Sequence, residues 1–123
     1  MAKKILVIED EPAFQKLIGD QLVADNYEVL TADDGQKGLD EAKAKHPDLI
    51  LLDLKLPVME GLTVLENLRK DEWGKTAKVI VLTNLEPDKD ILEKVLVFKP
   101  ELYLVKSNIK LSELREKILN VFL

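Results

Sequence analysis

Leu49-Ile50-Leu51-Leu52 is apolar at four consecutive positions, and the next residue, Asp53, is an acid. A strand with one wet face alternates apolar and polar residues, so an unbroken run reads as a strand covered on both faces. Two more runs of this kind are Ile5 to Ile8 and Val79 to Leu82. Glu28 to Ala32 and Leu102 to Val105, less uniformly apolar, complete a set of five. Between the runs, apolar residues recur at helical spacing. Phe14, Leu17, Ile18 and Leu22 share one face behind Pro12, which suits a first helical position. Leu62, Leu65 and Leu68 mark another helix. Ile91, Leu92, Val95 and Leu96 mark a third, started by Pro87-Asp88, and Leu111, Leu114, Ile118 and Phe122 mark the last. Gln36 to Lys45 carries the weakest pattern, because Leu39 and Ala42 are its main apolar residues and Gly35 and Gly38 disfavour a helix. Strand then helix, five times over, predicts an α/β fold: a doubly wound, five-stranded parallel sheet with helices on both faces. Ligands of such sheets bind beyond the carboxyl ends of the strands.

The rest of the composition narrows the function. A chain of 123 residues is the size of one domain. Eighteen basic against 23 acidic residues leave a net charge of −5, which argues against a grip on nucleic acid. Without cysteine there is neither a disulfide framework nor a thiolate nucleophile or metal ligand. The apolar runs are too short to span a membrane, and the start resembles no secretion signal, so a cytoplasmic location is expected.

At the predicted strand ends stand Glu9-Asp10-Glu11, Asp53, Thr83 and Lys106. A parallel sheet delivers all of them to one rim. Clustered carboxylates raise one another's pKa unless a cation intervenes. Oxygen donors alone select a hard cation such as Mg²⁺. Carboxylates beside Mg²⁺, an ammonium and a hydroxyl suit phosphoryl transfer onto an aspartate. Taken singly, each residue has a plainer role. The acidic run before Pro12 could cap a helix, Asp53 could form a turn, and Lys106 could be a solvated charge. Their joint occurrence at four strand ends carries the functional reading.

Four segments, Ile5 to Pro12 (ILVIEDEP), Asp48 to Gly61 (DLILLDLKLPVMEG), Val79 to Thr83 (VIVLT) and Tyr103 to Lys106 (YLVK), together resemble a response-regulator receiver domain. The likeness covers essentially the whole chain. It implies a flavodoxin-like (βα)5 fold with strand order 2-1-3-4-5, and a single receiver domain over residues 1–123 with no output domain. It also implies roles for individual residues. Asp53 is the expected phosphoacceptor, Asp10 a direct Mg²⁺ ligand, Glu9 a ligand through water, and the Lys55 backbone carbonyl a further ligand. Lys106 and Thr83 are expected to hold the phosphoryl oxygens, and Tyr103 to be the switch aromatic that follows Thr83. Pro57 and Gly61 shape the loop after Asp53. The implied partners are a sensor histidine kinase or phosphotransfer protein, and a downstream protein or second copy. The latter would meet the face made by the fourth helix, fifth strand and fifth helix, where Phe98, Leu119 and Leu123 would form one apolar patch or else finish the core.

Four features depart from the family pattern: Ser107 where proline is usual, Asn84 after Thr83, Lys55 two residues after Asp53, and Pro100 before the fifth strand. His46, before Pro47, reads as a helix-end or surface residue, and Trp73 as a loop residue and fluorophore. The resulting expectation is a phosphorylation-dependent signalling switch rather than an enzyme. The alternative is a receiver-like docking module that takes no phosphate. An aspartyl-phosphate hydrolase would need an acid where Lys55 stands, and a flavin protein a phosphate-cradling loop where Glu9-Asp10-Glu11 stands.

Overall fold

The computed structural model describes residues 2–123. The strands are β1 (Lys4–Ile8), β2 (Glu28–Ala32), β3 (Leu49–Leu52), β4 (Val79–Thr83) and β5 (Leu102–Val105). They alternate with α1 (Pro12–Ala24), α2 (Gly35–Lys45), α3 (Gly61–Lys70), α4 (Lys89–Leu96) and α5 (Leu111–Val121). The sheet is entirely parallel in the order β2-β1-β3-β4-β5, as expected.

Strand pleat sorts the apolar runs into two layers. Leu6, Ile8, Ile50, Leu52, Val79 and Val81 face α2, α3 and α4, where Leu39, Leu65, Leu68 and Val95 meet them. Ile5, Val7, Leu49, Leu51, Ile80 and Leu82 face α1 and α5, against Ile18, Leu22, Leu114 and Ile118. Full burial of each such side chain is worth about 1.5–3 kcal/mol. No helix among the described residues is long and apolar enough to cross a membrane.

The helical stripes are narrower than the sequence suggests. Leu17 and Leu96 are 52% and 58% exposed, and of α4 only Val95 is buried. The reading of α2 also needs correction, since its glycines are what let it pack. A Cβ on Gly38 would stand 2.6 Å from Ile8 Cδ1. The small residue brings α2 close to β1, and that burial outweighs its low helix propensity.

Phe98, Leu119 and Leu123 do not form one patch. Phe98 packs inward beneath the α2–α4 layer, whereas Leu119 lies on α5 among Ala24, Tyr27 and Arg115. His46 ends α2 in the left-handed region (φ 49°). Its ring stacks on Trp73 at 4.6 Å and 8°. Both residues belong to the connections that lead into the amino ends of β3 and β4.

Candidate functional site

β1, β3, β4 and β5 deliver Glu9, Asp53, Thr83 and Lys106 to a common rim. Glu9 and Asp53 immediately follow β1 and β3, Thr83 is the last residue of β4, and Lys106 follows β5. Glu9, Asp53 and Thr83 are the only charged or polar residues buried among those described. Backbone pairing fixes the two carboxylates in register, with Glu9 N–H donating to Ala32 O and Asp53 N–H to Ile8 O. The Gln15 amide also donates to Glu9 O at 2.8 Å.

Carboxylate oxygens of Glu9, Asp10 and Asp53 lie within 4.8 Å of one another. Burial is the main influence that pushes the Glu9 carboxyl up from its ordinary value, and the Asp53 charge adds to it. Hydrogen bonds from Lys106 and from Glu11 N–H oppose the rise without cancelling it. A carboxylate held in this way gains from an added cation. An all-oxygen donor set with one exposed acid, Asp10, suits a hard divalent ion that keeps part of its water. The residues therefore fit Mg²⁺.

The Lys106 side chain, only 5% exposed, lies against three carboxylates. It pairs with Glu9, donates to Asp53 Oδ2 at 2.9 Å, and reaches Glu11 Oε1 at 3.3 Å. Its ammonium also stands 4.5 Å from the centre of the Phe14 ring. Burial is the largest influence and favours the neutral amine, but the hydrogen bonds and charges of Glu9 and Asp53 together push its pKa up to about 12. No cis peptide bond occurs among the described residues, so Lys106 is aimed with Ser107 in the ordinary trans form.

Asp53 Oδ1 accepts from Lys55 N–H at 3.1 Å, while the Lys55 side chain stays in solvent. Asn84 is likewise exposed. Thr83 Oγ1 accepts from Leu85 N–H at 3.3 Å, and Leu85 O accepts from the Tyr103 hydroxyl at 2.7 Å. The backbone of a single residue, Leu85, thus stands between the threonine and the tyrosine. Side-chain chemistry could not have singled out Leu85, because its contribution is entirely backbone. Glu11 and Phe14 were also missed as contacts of Lys106. The sequence reads the first as a helix cap and the second as core, yet Glu11 makes no side-chain cap on α1.

Residues 5–119 match the response regulator receiver domain family. The chain is 41% identical over 90 residues to the DNA-binding dual master transcriptional regulator RpaA of Synechocystis sp., covering 73% of this chain and 37% of that protein. It is 36% identical over 106 residues to the chemotaxis protein CheY of Treponema pallidum, covering 84% of this chain and 72% of that protein. Among solved structures it is similar to the receiver domain of the sensor histidine kinase PA1611 from Pseudomonas aeruginosa PAO1, which has a magnesium ion coordinated in its active-site cleft. That likeness has a TM-score of 0.86 at 30% identity and covers 98% of this chain and 97% of the other. The match thus spans little more than a third of RpaA's length, but most of the chemotaxis protein's.

Proposed function

The chain belongs to the response regulator receiver domain family of two-component signalling, and from that premise we propose that Asp53 is its phosphoacceptor and Mg²⁺ its cofactor. The observation that carries this reading is the convergence of Glu9, Asp10, Asp53, Thr83 and Lys106 at the carboxyl ends of four strands. Glu9, Asp10, Asp53 and the backbone carbonyl of Lys55 would hold Mg²⁺, which supplies positive charge against the phosphoryl oxygens.

An Asp53 carboxylate oxygen attacks the donor phosphorus as the bond to the leaving group breaks, and the leaving group keeps the electron pair. Lys106 and the Thr83 hydroxyl hold the transferred oxygens. With its pKa near 12, Lys106 stays charged through any physiological pH. Loss of the reaction in mild acid would therefore arise elsewhere, with Glu9, whose carboxyl is pushed up by burial, the first candidate. A phosphoryl group that draws on the Thr83 hydroxyl disturbs the Leu85 backbone, and through it Tyr103. That sequence carries the change toward the face of α4, β5 and α5, where a downstream protein or a second copy binds. A sensor histidine kinase or phosphotransfer protein supplies the phosphoryl group to this chain in the cytoplasm.

Intact mass after incubation with Mg²⁺ and a small phosphodonor tests the reading. One added phosphoryl group is expected, and it should be absent from Asp53→Asn and from metal-free samples. Beryllium fluoride binding, followed by calorimetry, covers the case in which hydrolysis outruns detection. No adduct and no binding would leave a docking module that takes no phosphate.

A further inference from the structure

Lys106 has three N–H donors, and three carboxylates take them: Glu9, Asp53 and Glu11. A phosphodonor approaching the Asp53 carboxylate must draw on this ammonium while all three bonds are in place, so one of them has to loosen. Glu9 and Asp53 are fixed, with side chains 3% and 6% exposed, whereas that of Glu11 is 61% exposed. Glu11 is therefore the partner that can leave for water at little cost.

Its position calls for an explanation of its own. Glu11 is the N-cap of α1, where a side-chain oxygen ordinarily accepts from the free N–H groups of the first turn. It accepts none of them, and its carboxylate reaches across to Lys106 instead. An exposed negative charge thus stands 3.3 Å from the ammonium that an incoming phosphodonor needs.

We infer that Glu11 is an electrostatic gate on phosphorylation, a positioning residue that occupies Lys106 in the resting state and discriminates against highly charged donors. The inference rests on Asp53 being the phosphoacceptor. Removal of one negative charge at roughly 7 Å in water favours a dianion by about five- to tenfold, and a monoanion by about two- to threefold.

The test compares wild type with Glu11→Gln, which keeps the shape of the side chain, at saturating Mg²⁺. The variant should be phosphorylated about five- to tenfold faster by dianionic acetyl phosphate, but only about two- to threefold faster by monoanionic phosphoramidate. Added salt should narrow the first gap. Beryllium fluoride, read by calorimetry, should bind the variant about two- to threefold more tightly. Equal rates in the two proteins, or equal gains with both donors, would overturn the gate and leave the phosphoacceptor intact. Weaker Mg²⁺ binding with no gain in rate would also overturn it, by making Glu11 a metal-site residue. If neither protein takes a phosphoryl group or binds beryllium fluoride, the phosphoacceptor reading fails and the gate with it.

Discussion

A Cβ at Gly61 would fall directly against the Asp53 carbonyl oxygen and 2.6 Å from Leu54 Cα. Both obstacles are backbone, so neither can turn aside. Gly61→Ala should cost about 1–3 kcal/mol in urea denaturation and weaken beryllium fluoride binding, because α3 starts beneath Asp53, the proposed phosphoacceptor. A variant as stable as wild type would mean that the β3–α3 connection relaxes more freely than its packing implies. At this scale the sequence was legible where chemistry declares itself. Glu9, Asp53, Thr83 and Lys106 were readable as acid, hydroxyl and ammonium at strand ends. The direction of Glu11 was not, because an acid before a helix serves equally well as a cap. Nor was the role of the Leu85 backbone, since every residue has the same one.

Arg69 performs, between elements, what side chains rarely do alone. Its guanidinium donates to Phe98 O and Gly74 O at 2.7 Å, to Ala77 O at 2.8 Å and to Lys99 O at 3.2 Å. These carbonyls belong to two connections, one leading into β4 and the other leaving α4. Arg69→Met should cost roughly 2–4 kcal/mol, since carbonyls satisfied by a charged donor are left without it. Amide exchange should accelerate first around Phe98 and Lys99. A variant that unfolds at the wild-type urea midpoint would show that water replaces the guanidinium without loss. Helix stripes were less legible than strands for a related reason. A strand between two layers of helices is covered on both sides, so its whole run must be apolar. α4 rests on the sheet near β5, an edge strand, and buries only Val95. Its other apolar residues follow the same periodicity without being covered.

Over the whole molecule, the strand runs predict the parallel sheet, and the family likeness supplies its strand order. Of the two alternatives for Phe98, Leu119 and Leu123, neither holds for all three: Phe98 finishes the core while Leu119 and Leu123 stay exposed, because periodicity does not say on which side of a sheet a residue ends up. The two sides are also tied differently. α1 and α5 are joined by a two-pronged ion pair, with Arg115 Nε 2.9 Å from Asp25 Oδ2 and Nη2 2.8 Å from Oδ1. The Arg115 hydrogen bonds hold the Asp25 carboxyl below its ordinary value. A depressed carboxyl contributes stability above its unfolded pKa of about 4 and loses it as pH falls through the folded value. Arg115→Gln should therefore melt below wild type at neutral pH, and the two curves should converge in strong acid. A constant gap across that range would assign the effect to packing instead. The stacked His46 and Trp73 have a further consequence. They sit on the rim opposite the acidic cluster, so the indole should be deaf to the arrival of phosphate yet respond at once to unfolding. Its emission counts intact molecules in any sample, and every yield of charged protein can be divided by that count.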